Sequence, residues 1–567
     1  MPALLRLATP TLTMSTRSLF LAALLLAATA PAAAAGIRFV DADLATGAND
    51  GSSWADAFQG SGGLQAALAV AVAGDQVFVA QGTYLPTATL SRTVSFALIN
   101  GVELYGSFVG TESSPAERPP FGSAPSLLSG DLAGDDGLLQ FGDNSFHLVT
   151  SGGTNATAVL DGFVISSGAA TGASGNQDRG GGILCVGGVS PTVRNCRFVG
   201  NRASFGGAAG YINNGAAPSF TDCSFEDGDG GSFGGAFDIA AGGAVRFERC
   251  RFTGNTAARA GALEIFSSTG VVVNNCLFTG NVATGSGGGG GLWMGSGGDP
   301  RVRGCTFVAN ESTTNAVAGL RNQGATAATV ANCIFWDNVG PAGAQGPGNQ
   351  VNAATVVDWS IVEGGFGGTG TGNSAGDPAF ADAPGGDFSL TSASAAIDAG
   401  SNAALQPGTT LDLALNPRLA DVLAVADTGS GTAPIADMGA FELPSAWVEL
   451  GSSLAGVAGP PVLFASGTLE TGSPGTLGLS SAAPSAFTML FVSLSSAPLP
   501  FKCGTLVPLP AVAKFPLFTN GAGAIPLGWA SWPGGLSGLS VYFQYAIQDA
   551  GAVCGVALSN ALRGDVP

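Results

Sequence analysis

Six cysteines recur at positions 196, 223, 250, 276, 305 and 333, at steps of 27, 27, 26, 29 and 28 residues. Each stands in one short phrase: Asn195-Cys-Arg-Phe198, Asp222-Cys-Ser-Phe225, Arg249-Cys-Arg-Phe252, Asn275-Cys-Leu-Phe278, Gly304-Cys-Thr-Phe307 and Asn332-Cys-Ile-Phe335. A period this regular means one structural unit stacked on copies of itself. Helical repeats need long runs of Leu, Ala, Glu and Lys. These units are instead rich in Val, Phe, Gly and Asn, and the whole chain has 90 glycines and two lysines, Lys502 and Lys514. Short strands joined by tight turns fit that composition. The expected fold is all-β.

Alternation with a period of two sorts each repeat into inward and outward residues. One inward pair is Ile183/Cys185, Gly210/Ile212, Phe237/Ile239, Leu263/Ile265, Leu292/Met294 and Leu320/Asn322, and the other is the Cys/Phe pair of the phrase. A third apolar position lies three residues before each cysteine, at Val193, Phe220, Phe247, Val273, Val302 and Val330. A step of three breaks the alternation, so a corner lies between. It holds Asn195, Asp222, Asn275 and Asn332, short polar residues suited to tight backbone geometry. A second corner follows Phe, at Asn201, Asn255, Asn281, Asn310 and Asn338. Three faces and their corners describe one coil of a parallel β-helix, and roughly ten coils about 4.8 Å apart make a rod about 50 Å long.

Residues 36–84 read as an N-terminal cap and first coil, with a brief amphipathic helix around Leu64, Ala67 and Leu68. Coils are expected over 85–362 and an exit cap over 363–444, ending in Asp437-Met-Gly-Ala-Phe-Glu442. The Pro-rich remainder, 445–567, alternates in Phe487-Thr-Met-Leu-Phe-Val and Leu539-Ser-Val-Tyr-Phe-Gln-Tyr, which predicts a small β-sandwich-like domain. Residues 1–35 read as a signal peptide: Arg17 precedes the apolar run Leu19 to Ala28, and Ala30-Pro-Ala-Ala-Ala-Ala35 offers small-residue cleavage sites. Met14 is an alternative initiator. The apolar run is too short to anchor the chain across a bilayer, and no other transmembrane segment is expected. Cleavage near Ala35 removes Arg6 and Arg17, leaving 18 basic against 39 acidic groups. Nucleic-acid binding needs clustered Lys and Arg, so it is excluded. The expected location is secreted or cell-surface.

The phrases Gly234-Gly-Ala-Phe237, Phe198-x-x-Asn201, Phe252-x-x-Asn255 and Phe278-x-x-Asn281 resemble the paired repeat motifs of polymorphic outer membrane proteins. Residues 37–442 as a whole are similar to bacterial right-handed parallel β-helix repeat proteins of the pectin-lyase-like superfamily. That resemblance includes Gly-Thr-Tyr84 near the start and Ile435-Ala-Asp-Met-Gly-Ala-Phe-Glu442 at the close. It implies the fold, while the superfamily mixes lyases, hydrolases, adhesins and structural rods. Its pectate lyases set calcium-binding acids beside an Arg or Lys base, and residues 36–444 contain no Lys. Its polygalacturonases set a His beside several Asp, and His147 stands alone; Gly134-Asp-Asp136 reads as a turn. No catalytic residue carries over.

The six ladder cysteines read as small apolar core residues. Metal binding needs ligands converging on one point, and neighbours about 4.8 Å apart exceed the roughly 3.8 Å between Cβ atoms that a disulfide prefers. A buried thiol ladder follows, with strained bridging as the alternative. Cys503 and Cys554 form the better disulfide candidate, and Cys185 packs alone. No metal and no cofactor is expected, and Asp41 to Asp50 reads as a polar turn because it lacks the spacing of a calcium loop.

Twelve residues before each ladder cysteine stand Leu184, Tyr211, Asp238, Glu264, Trp293 and Arg321. Lying between inward residues, they should form one exposed outward row. Asp238 and Glu264 would be neighbours at one strand spacing, near the roughly 5–5.5 Å of paired carboxyls in retaining glycosidases. Tyr211 and Trp293 would offer faces to sugar rings, and Arg321 would engage a carboxylate or sulfate. A second column gathers Arg194, Arg197, Arg246, Arg249, Arg251, Arg301 and Arg303, with Asp222 and Glu248 among them. It offers bidentate contacts to an acidic glycan or mutual neutralisation. The expected function is a non-catalytic exported rod presenting a rigid face to extracellular polysaccharide or a cell-surface component. A polysaccharide hydrolase or lyase acting at Asp238 and Glu264 is the alternative, and a passive structural rod the third reading.

Overall fold

The computed structural model describes residues 36–566 apart from 326, 423 and 424; the expected signal peptide lies outside the described residues. Successive coils wind through three long parallel sheets. The first has 12 strands, beginning with Ile37–Asp41, Phe58–Gln59 and Gln76–Ala80 and running through Thr192–Arg194 and Arg246–Glu248 to Val356–Asp358. The second has 10, from Gly82–Tyr84 through Arg197–Val199, Ser224–Glu226 and Arg251–Thr253 to Ile361–Val362. The third has 8, from Phe96–Ala97 through Gly210–Asn213, Phe237–Ala240 and Leu263–Phe266 to Leu320–Asn322. At the start, the helix Gly63–Val70 lays Leu64, Ala67 and Leu68 into the apolar core with Val40 and Phe58. That covers the open end of the first coil.

Between the first and second sheets the chain turns through one left-handed residue. Asn195, Asp222, Arg249, Asn275, Gly304 and Asn332 all have φ between +50° and +54°. Asn, Asp and Gly tolerate that region; Arg249 is the exception, held by a two-point ion pair to Asp222 at 2.7 and 3.0 Å. The next residue is the ladder cysteine. Cys196, Cys223, Cys250, Cys276, Cys305 and Cys333 are buried and free, as is Cys185. Each of the six ladder thiols donates to the carbonyl two residues back, Cys276 to Asn274 at 3.2 Å for example. Burial pushes the thiols of Cys185 and Cys196 up to about 12, so these two sulfurs are inert filler. Two residues on, the Phe column stacks, with ring centroids 4.5 Å apart for Phe252/Phe278 and for Phe278/Phe307.

The second corner is a ladder of buried amides. Asn281 Oδ1 accepts from the backbone N–H (3.0 Å) and the Nδ2 (2.9 Å) of Asn255. Its own Nδ2 donates to Phe252 O and to Asn310 Oδ1, each at 2.9 Å. Asn310 repeats the pattern onto Asn338, and Asn338 onto Gln350 at 2.6 Å. Every donor and acceptor of Asn281 is thus used inside the core, where an unpaired group is costly.

Residues 377–443 do more than close the rod. They fold back as a flap along its side, over the outer face of the second sheet. Phe388, Leu413 and Phe441 pack on Leu277 and Val308, and Ile397 and Met438 pack on Ile334 and Ile361. The corner asparagines hold the flap: Asn275 Nδ2 donates to Leu411 O at 2.7 Å and Asn332 Nδ2 to Ser401 O at 2.9 Å. Beyond it, a six-stranded antiparallel sheet containing Phe487–Ser493 and Ser540–Gln548 faces a three-stranded sheet, Val462–Ser466, Gly475–Ser480 and Ile525–Trp529. The two share a core that includes Trp447, Leu463, Leu479, Leu490 and Phe543. Cys503 and Cys554 are joined by a disulfide in this unit.

Asn281→Ala should lower unfolding stability by about 2–3 kcal/mol, because the buried N–H and Nδ2 of Asn255 lose their acceptor. Thr253→Ala, on an exposed outward position, should change it by less than about 0.5 kcal/mol. Equilibrium urea unfolding of both variants checks this; equal midpoints would mean that the amide ladder does not hold the coils together.

Candidate functional site

The row placed twelve residues before the cysteines is in register along the third sheet, Tyr211 on Asp238, Asp238 on Glu264, Glu264 on Trp293 and Trp293 on Arg321. It is not an exposed platform. Tyr211, Asp238, Glu264 and Trp293 are only 2–4% exposed. A second layer covers them, made by the loops between the second and third sheets. Those loops carry short parallel sheets of their own, including Thr256–Arg259, Val282–Gly288 and Glu311–Ser312.

The layer has its own column, seventeen residues before the cysteines: Arg179, Gly206, Phe233, Arg259 and Gly288. Adjacent members of the first four bridge in parallel. Arg179 donates to the Tyr211 hydroxyl at 3.0 Å and lies 3.9 Å from the centre of the Phe205 ring. Arg259 sits 4.4 Å from Phe233 and 4.1 Å from Trp293, and forms a two-point ion pair with Glu264. Arg321 donates to the carbonyls of Ser286 and Gly287, and Trp293 Nε1 donates to Gln323 at 3.3 Å. Half-buried guanidinium groups over aromatic faces hold the two layers together. Glycine permits the approach: a Cβ on Gly206 would stand 2.5 Å from Asp238 Oδ2.

Asp238 differs from its neighbours. Its carboxylate accepts no hydrogen bond from the described residues, and burial, followed by the charge of Glu264, pushes it up to about 7 against the offsetting charges of Arg179 and Arg259. Glu264 is likewise raised by burial despite its ion pair. His147 uses Nδ1 on Gly180 O at 3.0 Å, and burial pushes it below the usual imidazole range. Gly134, Asp135 and Asp136 form a turn whose amides donate to the Asp131 carboxylate.

The arginine column does meet open space. A cleft of about 390 Å³ lies over the second sheet, lined by Phe121, Asp222, Ser224, Glu226, Arg249, Arg251, Leu413 and Leu415 among others. Phe121, on a loop tied down by Arg118 to Asp161 (3.1 Å), is 44% exposed, and Leu415, from the flap, is 59% exposed. Neither wall follows the repeat, so neither had a signal in the spacing. On the floor, Asp222 is held by Arg249, and Glu226 by Arg197 at 2.9 and 2.6 Å. Burial raises Glu226, but Arg197 and Ser224 outweigh it, so the carboxyl ends below its usual range. Arg194 is paired with Asp161 at 2.6 Å, and Arg303 binds Thr329. Arg251 is exposed as a residue, has no ion pair within 4.0 Å among the described residues, and lies 5.7 Å from the Phe441 ring; partial burial of its guanidinium lowers its pKa, against the more distant charges of Asp387 and Asp412.

Comparison with known proteins supports the fold over the coils. Residues 181–356 match a family model described as a right handed beta helix region. A crystal structure of pectate lyase Pel9A is among the similar solved structures, at 13% identity and a TM-score of 0.40, covering 72% of this chain and 96% of that one. No curated protein sequence matches. The coils are a right-handed parallel β-helix, which agrees at the level of fold with the resemblance to pectin-lyase-like proteins and carries no activity with it.

Two outcomes follow for the covered row. An acid whose folded pKa is raised keeps its proton better folded than unfolded, so its stabilising effect is present at low pH and lost as pH rises through the folded value. Between about pH 4 and 7, Asp238 should therefore cost up to about 1.4 kcal/mol of stability per pH unit. Asp238→Asn should remove that slope, raising the unfolding midpoint at pH 8 and leaving it unchanged at pH 4; parallel profiles would show an ordinary carboxylate. Arg259→Ala should destabilise by about 3–5 kcal/mol by stranding buried Glu264, and adding Glu264→Gln should recover part of the loss. Denaturant unfolding of the single and double variants measures the recovery.

Proposed function

We propose that this chain is a non-catalytic β-helix protein of the cell exterior that holds acidic polysaccharide in the cleft beside Arg251. The observation that carries the reading is the pairing pattern on the cleft floor. Its two acids are tied up in ion pairs, while one guanidinium, Arg251, is left to face solvent between two apolar walls. A general acid or base needs a carboxyl free to exchange a proton near the working pH, and Asp222 and Glu226 are both committed to arginines. An unpaired Arg, by contrast, is suited to a bidentate contact with a uronate or sulfate, and Phe121 gives a ring edge or face to a sugar. The export expected of residues 1–35 is consistent with a place outside the cell. Tyr211 and Trp293 offer no open face to a glycan, because those rings are buried beneath Arg179 and Arg259.

One observation favours a second reading, a polysaccharide hydrolase: Asp238 is unpaired and holds its proton to near neutral pH. The covering layer stands against it, since substrate cannot reach a carboxyl beneath Gly206 without that layer opening.

Screening the purified protein on arrayed neutral and acidic glycans tests both readings. Binding to acidic glycans should fall about tenfold, or about 1.4 kcal/mol, in Arg251→Ala, should weaken in Phe121→Ala, and should persist in Asp238→Asn/Glu264→Gln. Equal binding by Arg251→Ala sinks the cleft, and no binding at all leaves a passive structural rod. Glycans shortened by the wild type but not by the Asp238/Glu264 variant would make the protein an enzyme.

A further inference from the structure

The flap has an unbalanced charge. Between residues 377 and 449 Arg418 is the only basic residue. It is fully buried and spent on Glu442 at 3.0 Å and on the carbonyls of Asp437 and Gly439. Asp437 accepts the amides of Asp398 and Leu443, and Asp412 accepts those of Ala414, Asn416 and Glu442. Those acids are satisfied.

Asp398 is not. It is 0% exposed, and both of its carboxylate oxygens are buried without a hydrogen-bond partner. Its backbone is nevertheless pinned: its N–H goes to Asp437, and its carbonyl takes the amides of Thr428 and Gly429, each at 3.0 Å. The latter bonds bring Asp427 alongside, and Asp421 completes a set of three carboxylates whose facing oxygens all lie within 4.8 Å of one another. Burial, then the charges of Asp437, Asp421 and Asp427, push Asp398 up to about 7, against a weaker opposing effect of the Val422 backbone amide, which does not reach hydrogen-bond geometry. A buried, unpartnered carboxylate with two others aimed at the same point is an arrangement that a cation would stabilise.

Two oxygens on opposite sides of a calcium ion, each about 2.4 Å from it, stand about 4.8 Å apart, so one ion fits within the set. Oxygen-only donors on two irregular loops suit a hard ion of flexible geometry and argue against a transition metal. We propose that Asp398, Asp421 and Asp427 form a calcium site in the flap. The ion offsets most of the charge of the three carboxylates and ties the 396–400 segment to Asp421 and Asp427, beside which Val422 and Val425 pack against the apolar cluster of Ile334, Ile361 and Met438. It thereby locks the flap to the coils, a role separate from glycan binding. The trio Asp131, Asp135 and Asp136 is clustered as closely, but Asp131 is spent on three backbone amides and none of the three is fully buried.

The test is calorimetric titration of the chelator-stripped, full-length protein with calcium chloride, paired with thermal unfolding. One calcium should bind per chain, and the unfolding midpoint should rise by about 2–3 °C at about a hundredfold excess over Kd. Asp421→Asn/Asp427→Asn alters only the partly and fully exposed members, so it should fold, lose the binding heat and show no calcium response. Asp131→Asn/Asp135→Asn should keep both. Absence of any calcium response in the wild type overturns the site. So does a response that survives in the Asp421/Asp427 variant or disappears in the Asp131/Asp135 variant.

Discussion

A parallel solenoid holds together only while each coil repeats the backbone path of the coil before it, since every strand's hydrogen bonds run to its neighbours. In this protein the corners enforce that repetition. One left-handed residue ahead of each cysteine sets the turn between the first and second sheets. After five of the six Phe residues an asparagine holds the other corner, with Gly228 in that place after Phe225, and from Asn255 to Asn338 each bonds to the same atoms one coil away. Cysteine and phenylalanine then fill the volume between corners in continuous columns. The unit is cheap to copy because each side chain meets its own kind above and below.

The few arginines do structural work far out of proportion to their number. Arg118, Arg194, Arg197, Arg249 and Arg259 each hold a carboxylate of the coils, and Arg179 and Arg259 also join the covering layer to the third sheet through aromatic rings. Where arginine runs out, acids are left over. Arg251 remains open on one side of the rod, and Asp398 with its two neighbours remains uncompensated in the flap.

The coils were legible because a period survives in sequence. The cysteine phrases, the apolar position three residues earlier and the corner asparagines each occupy the place that their spacing implied. The row twelve residues before the cysteines is a column, as its spacing implies, and not a surface. Alternation tells which side of a strand a side chain leaves from, but not whether another layer lies over that side. The covering column of Arg179, Gly206, Phe233 and Arg259 has the same period and was open to the same counting. Glycine and phenylalanine at equivalent positions hid its common role.

Phe121, Leu415 and the Asp398 cluster left no such trace. They come from segments that occur once, and their neighbours in space lie tens to hundreds of residues away in the chain. The sequence by itself determined the coil, its corners and its core, because each repeat meets the same partners and short-range pattern is enough to specify them. Only the tertiary structure decided which outward side chains stay open, where a cleft forms and which acids lack a partner. Those depend on how the flap and loops fold back over the rod, and no local period encodes that contact.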